Sequence, residues 1–386
     1  MRTERNRAGR NAGEREGILR RRALAVVLLL ALVQLAWLAR PAHACGCGGM
    51  VPADGTTIGV RDETSVVHWD GRTERIVMRL TVEGDAPEAA WIMPVPGRAT
   101  VGLGDRELFD ELRTVTAPDR ETRHHFWPRS GDWPFDGEDG STAGAPAGAA
   151  PPVGVVGRER LGPFDVARLT ATDSGALDAW LRDNGFDLPG RLAAELEPYV
   201  AQEWEYVAVR LAPGEDGPGD GTPSAVLGGA LDPLRITFDS DRPVYPMRLS
   251  RAARTAQSLR LYVLAPHRME PRDAIGGQAP EVVFAGRLTE AELAGNERLR
   301  ALAGGEDLFL TALTQDFPHP ERISGDHELR RARADTPYRA VEHDDELLTW
   351  GGVPAWILTL LAVPAALLAV GAVLRSRAAR APRPAQ

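Results

Sequence analysis

Lysine is missing from this chain: every one of its 45 basic residues is arginine. That absence removes Schiff-base chemistry, Ser-Lys dyads and the lysine of a phosphate-binding P-loop in one step. Cysteine is almost missing, with two in 386 residues, and both sit in the stretch RPAHACGCGGMVP as Cys45 and Cys47. The usual catalytic signatures are absent as well. No G-x-S-x-G elbow occurs, and GLGDRE lacks the third glycine of a dinucleotide fingerprint. His327-Glu328 opens like the zinc-protease motif, but Arg331 stands where its second histidine belongs.

What the chain does have is two greasy ends. Residues 1–44 read as an export signal: a basic lead ending at Arg22, an apolar core from Ala23 to Ala39, and the small-residue site Ala42, His43, Ala44. Cleavage there makes Cys45 the new N-terminus. At the other end, Val353 to Leu374 carries no charge. As a helix it measures about 33 Å, enough to cross a bilayer core of about 30 Å. Trp350 and Trp356 flank its start, and Arg375, Arg377, Arg380 and Arg383 follow it without an acid. The positive-inside rule then puts residues 375–386 in the cytoplasm and the bulk of the chain outside.

Charge points the same way. Residues 1–44 hold nine arginines against three glutamates and the tail four arginines, so setting both aside takes the formal charge from −9 to −19. An acidic surface repels a phosphate backbone, which argues against nucleic acid as a partner.

Between the ends, the spacing predicts a mixed α+β body. SVVHW and RIVMRLTVEG flank Asp70-Gly71 as a hairpin, with Ile76, Met78, Leu80 and Val82 on one face. AAWIMPVP reads as a strand whose prolines put it at a sheet edge or strand end. GDRELFDELRTV predicts a helix capped by Asp105. FDVARLTA is a strand, and DSGALDAWLRDNG and Arg191 to Gln202 are helices. WEYVAVRLA, LRITFDS, VYPMRLS and SLRLYVLAP follow as closely spaced strands, the pattern of an antiparallel sheet. TEAELAGNERLRAL opens with Thr289 and Glu292 at capping-box spacing, and LFLTALT returns to the sheet.

The segments from Thr73 to Pro118, Phe164 to Pro189, Tyr199 to Leu211 and Leu231 to Ser250 resemble, in that order, the bacterial family catalogued as domain of unknown function 2330. The resemblance covers most of Cys45 to Ala265 and implies an exported protein with no agreed reaction. It carries no functional residues across. The long insertion after Trp133 departs from the family pattern.

Candidate sites are few. Cys45 fits three roles: the first residue of the trimmed chain, a lipid-anchor residue, or one half of a thiol or soft-metal site with Cys47 and His68. The first is preferred, because the residues before Cys45 match a lipid-anchor box only at Ala44. His124 and His125 are adjacent on an extended segment and face opposite ways, so they do not chelate together. The loop tryptophans Trp127 and Trp133 are less easily explained as core and are candidates for binding a partner or ligand.

The sequence thus predicts α+β, a largely antiparallel sheet with a few flanking helices and one C-terminal transmembrane helix. It divides into a signal peptide (1–44), a first strand-rich lobe (45–128), a Gly/Pro/Ala-rich insertion (129–157), a second α+β lobe (158–314), a polar stalk (315–349), the span (350–374) and a basic cytoplasmic tail (375–386). The expected function is a single-pass, membrane-anchored extracytoplasmic module of the cell envelope that binds a partner or ligand. The alternative is a thiol-redox or metal protein built on Cys45 and Cys47. No catalytic residue and no cofactor is predicted; the partners expected are the membrane and an unidentified extracytoplasmic partner or ligand, and not nucleic acid.

Overall fold

The computed structural model describes residues 48–132, 159–161, 164–169, 174–212 and 226–379. The expected signal peptide, Cys45, Cys47, Trp133, the rest of the insertion through residue 157 and the last residues of the tail lie outside them. Among the described residues the chain runs through β1 (Gly49–Pro52), β2 (Ile58–Trp69), β3 (Thr73–Gly84), β4 (Ala89–Val95), β5 (Thr100–Leu103), α1 (Glu107–Val115) and β6 (Asp119–His125). It continues with β7 (Glu159–Leu161), β8 (Phe164–Leu169), α2 (Ser174–Asp183), α3 (Gly190–Ala201), β9 (Glu205–Leu211), β10 (Gly229–Ala230), β11 (Leu234–Asp239) and β12 (Val244–Tyr245). Next come β13 (Gln257–Ala265), β14 (Met269–Pro271), β15 (Glu281–Arg287), α4 (Glu290–Leu293), α5 (Glu297–Ala303), β16 (Phe309–Phe317) and β17 (His327–Arg331). The last elements are β18 (Tyr338–Arg339), β19 (Val341–Leu347), β20 (Thr349–Trp350), β21 (Val353–Pro354) and α6 (Ala355–Ala379).

The expected hairpin is the centre of the fold. The Asp70 carboxylate accepts the backbone N–H of Arg72 at 2.9 Å and of Thr73 at 2.7 Å, and Gly71 takes the positive φ of +103° that the turn needs. β2 and β3 then pair antiparallel inside a nine-stranded sheet ordered β18-β15-β16-β13-β2-β3-β11-β5, with β10 also on β3. A five-stranded sheet, β1-β4-β9-β8-β7, packs against it.

Burial sorts these strands into four layers. Ile76, Met78, Leu80 and Val82 of β3 meet Trp91 and Met93 of β4 and Val207, Val209 and Leu211 of β9 in the core between the sheets. The opposite side of β4 and β9, through Ile92, Ala208 and Tyr206, packs on Leu177 and Leu181 of α2 and Leu192 and Leu196 of α3. The opposite side of the large sheet, through Val66, Val77, Tyr262 and Leu264, packs on Leu108, Phe109 and Leu112 of α1 and Leu299 and Leu302 of α5. Strands covered on both faces lose their polar alternation. This explains AAWIMPV, whose seven residues are all buried. Its proline still sits at a local edge: β1 pairs only with Ala89 to Ile92, so Pro94 lies past the end of that neighbour.

The class is as the spacing predicts, with mostly antiparallel sheets, helices on their outer faces and one long apolar C-terminal helix. Asp105 accepts the N–H of Glu107 at 2.9 Å at the start of α1, and Thr289 and Glu292 close their capping box. Four details differ. Strands from both expected lobes alternate within one sheet, so β2 and β3 lie between β13 and β11. The segment from Gln315 does not start a stalk: β16 runs to Phe317, and β17 pairs with β12 and β14 in a three-stranded sheet over the body. VYPMRLS is a strand for only two residues, because Pro246 offers no N–H and Asp326 accepts the N–H groups of Met247 and Arg248, turning the chain into a 3-10 helix. Finally β13 lies parallel to β2, and β6 parallel to β19. Such neighbours come from distant parts of the chain, which no short turn joins.

Trp91 is fully buried between the two sheets. Trp91→Ala should therefore cost about 3–5 kcal/mol of stability, read as a lower urea midpoint for the full chain in detergent.

Candidate functional site

The expected metal candidate His68 is the penultimate residue of β2, where it pairs with Arg75 of β3 and Leu264 of β13. Its side chain shares the face of Val66 and Leu264, the one covered by α1 and α5. The ring is buried and its Nε2 has no partner. Burial, and then the Arg75 charge, push its pKa below the usual histidine value. Gly48, the residue after Cys47, lies just before β1 against the other sheet: a Cβ built there would come 2.4 Å from the Ile92 carbonyl oxygen. The nine-stranded sheet stands between Gly48 and the His68 ring. Among the described residues no three His, Cys, Asp or Glu side chains converge as metal ligands. Cys45, Cys47 and Trp133 fall outside those residues.

Trp127 lies in the loop that follows β6. β6 and β19 form an exposed parallel ribbon of seven residues each. At its end the His125 carbonyl accepts the N–H of Leu348 at 2.9 Å, and the Leu348 carbonyl accepts the N–H of Ala355 at 2.8 Å. Ala355 is the first residue of α6. The loop after β6 therefore leaves the body beside the start of the apolar helix. His125 Nε2 and Asp132 lie 2.7 Å apart, and Asp132 also accepts the N–H of Arg129 at 2.6 Å, which ties the two ends of the loop. Arg123 and Arg129 both donate to Asp345 of β19 and hold its carboxyl well below the usual carboxylate range. At the tip Phe126 and Trp127 meet edge to face at 5.1 Å, with Trp127 62% exposed. His124 is exposed while His125 turns in to Asp132, as expected for neighbours on a strand.

A second group was not anticipated. On the inner face of the large sheet, Glu63 and Ser65 of β2 and Glu74 of β3 are buried. The Tyr245 hydroxyl of β12 donates to Glu63 and lies 2.5 Å from Ser65 Oγ. One residue earlier, the N–H of Val244 donates to Glu74 Oε2 at 3.1 Å. Glu74 Oε1 has no partner, and burial pushes that carboxyl well above its ordinary pKa. His327 of β17 is paired with Tyr245, is 1% exposed and finds a partner for neither ring nitrogen. Burial takes its pKa down to about 4.

Burial thus favours the neutral form of both groups, the protonated carboxyl of Glu74 and the unprotonated ring of His327. Neither opens to solvent. A hollow lined by Met78, Leu80, Trp91, Leu211, Leu231, Asp232 and Leu234 is apolar apart from Asp232 and contains neither residue. A signal for this group did exist in the sequence: Glu74 is two positions before Ile76 and in phase with the apolar face of β3. Glu63 gave less warning, because a bulge between Val60 and Asp62 shifts the phase of β2.

Residues 41–330 match the family model described as "Uncharacterized protein conserved in bacteria (DUF2330)". That is most of the chain, and the protein belongs to this family. No curated protein and no solved structure gives a significant match.

The two buried groups make stability depend on pH in opposite senses. His327 has a folded pKa of about 4 against 6.5 in the unfolded chain, so the unfolded state binds the extra proton. Its contribution is present above about pH 6.5 and is lost as pH falls to about 4, by up to about 3 kcal/mol. His327→Gln should flatten that acid limb in denaturant titrations. Glu74 is raised, so the folded state keeps a proton that the unfolded chain releases above its ordinary value of 4.5. Stability contributed there falls as pH rises above 4.5, and Glu74→Gln should gain on the parent chain as pH is raised from that value.

Proposed function

We propose that this member of the family is a single-pass membrane protein of the bacterial cell envelope, with its body outside the membrane and its arginine-rich end in the cytoplasm. The body acts there as a binding or interaction module rather than as an enzyme. The observation that carries the reading is α6. Its residues Ala355 to Arg375 form a helix long and apolar enough to cross a bilayer, and no part of the body covers it. Leu360, Leu361, Leu367 and Leu368 are all more than half exposed. A helix that is apolar all round needs either a protein interior or lipid, and here no protein surrounds it. The arginines beyond it and the leader-like residues before Cys45 ask for the same orientation.

The interaction half of the reading draws on the body. The hollow lined by Met78, Trp91 and Leu234 is largely apolar, and Glu74 and His327 are sealed between layers, which supports an interaction role. Surface charges instead form ion pairs such as Arg61 with Glu83 and Arg298 with Asp105.

Membrane fractionation tests this directly. The full chain should stay in the pellet after alkaline carbonate extraction, and a chain ending at Leu348 should leave it. A reporter fused after Gln386 should be active only in the cytoplasm. Release of the full chain by carbonate, or an active reporter on the outer side, would overturn the proposal.

A further inference from the structure

We infer that the loop from Phe126 to Asp132 is a second membrane contact: it seats Trp127 in the headgroup boundary of the bilayer that α6 crosses, beside Trp350. The inference rests on the single-pass reading and adds to it a defined surface of the body that touches lipid. Three observations carry it.

The first is position. Leu348 is bonded on one side to His125, the residue before the loop, and on the other to Ala355, the first residue of α6. Loop and span therefore start from the same residue, and the loop cannot be far from the plane where the helix enters lipid. Between Leu348 and Ala355 the chain makes a tight hairpin, β20 to β21, turned by Gly351 at φ +61° and Gly352 at φ +81°. That hairpin presents Trp350, 63% exposed, at the same level.

The second is chemistry. Trp127 and Trp350 are more than 60% exposed, and Trp356 follows on the first turn of α6. Indole combines a large apolar face with one N–H donor, and it concentrates where acyl chains meet headgroups. In the fold the Trp127 ring is met edge to face by Phe126 and stays largely exposed, whereas a lipid boundary accepts both the ring and the N–H.

The third is rigidity. The loop is closed by His125 and Asp132 and is pinned to β19 through Arg129 and Asp345. Its aromatic tip is preorganised, so inserting it requires little further loss of conformational freedom. The polar, exposed ribbon of β6 and β19 meanwhile stays in water above the boundary. With a helix and a loop both engaged, the body is held at a fixed height and rotation over the membrane instead of swinging on a single joint.

Photolabelling tests the contact. The full chain is reconstituted into phosphatidylcholine vesicles containing a lipid with a diazirine near its glycerol backbone. After irradiation it is digested with trypsin, which cleaves after Arg123 and Arg129 and after Arg339 and Arg375. Lipid adducts are expected on the peptide His124–Arg129 as well as on the peptide Ala340–Arg375, which contains α6. Trp127→Gln, an exposed change that removes the indole and little core, should reduce adducts on the first peptide several-fold and leave the second unchanged. Adducts confined to Ala340–Arg375, or equal labelling of the variant, overturn the loop contact while the span stands. Adducts on neither peptide overturn both.

Discussion

The β2–β3 hairpin has to bury its inward face along most of its length, and its outward face around Val66 and Val77. Val66 and Val77 point one way, Val67, Ile76 and Met78 the other, and all five are buried. A two-stranded ribbon cannot cover itself. The chain therefore supplies a sheet on one side and a helix layer on the other, drawn partly from the segments that follow the hairpin, β4 and α1, and partly from β9 and α5 far along the chain. β13 and β11 extend it edgewise, β4 and β9 close the inner face, and α1 and α5 close the outer one. Two separate lobes are incompatible with this arrangement, since the hairpin from the first half is the middle of a sheet built largely by the second.

That same enclosure gives the buried carboxylates their character. Glu63 and Glu74 occupy inner-face positions that a Leu or Val would fill at no electrostatic penalty. Each is used to hold one residue of β12, the short segment that lies across the sheet: Glu63 takes the Tyr245 hydroxyl and Glu74 the Val244 amide. A buried polar group without a partner costs about 1–3 kcal/mol, so the orphaned Glu74 oxygen and both His327 nitrogens are expensive features. Their location fixes where β12 and β17 sit, because only one register brings the tyrosine over Glu63 and the amide over Glu74 together. Polar specificity of this kind trades stability for a single arrangement.

How much of this could be read from residues alone depends on the range of the physics involved. Local signals were sufficient for the hairpin at Asp70-Gly71, the helix that starts just after Asp105, the capping box at Thr289 and the charge-free run that becomes α6. Each rests on side chains within a few positions of one another. The alternation of β3 was legible too, and Glu74 stood in its apolar phase. What could not be read was anything set by distant partners: the parallel pairing of β13 with β2, the diversion of VYPMRLS by Asp326 some 80 residues later, and the bulge that moves Glu63 inward. Trp127 shows the limit most plainly. Its composition marked a loop aromatic exposed for some purpose, but only the bonds through Leu348 show what lies next to it.

Those bonds also bear on how the body and α6 work together. A span joined to its domain by a flexible stalk would leave the two mechanically independent. Here the residues before α6 are paired on one side with β6 along seven positions and on the other within their own hairpin, and β6 is bound back to the body by Arg339, which donates to the carbonyls of Val115 and Ala117. Opposite charges reinforce the ribbon, with Arg123 and Arg129 sharing Asp345 and Arg120 near Asp344. Such surface pairs contribute little one at a time, yet a parallel ribbon of polar residues has almost no buried area to hold it together, so its register depends on them. The acidic bulk of the protein therefore meets α6 through a charged, hydrogen-bonded strut, and a displacement of the body can be transmitted to the first turn of the helix instead of being absorbed by slack chain.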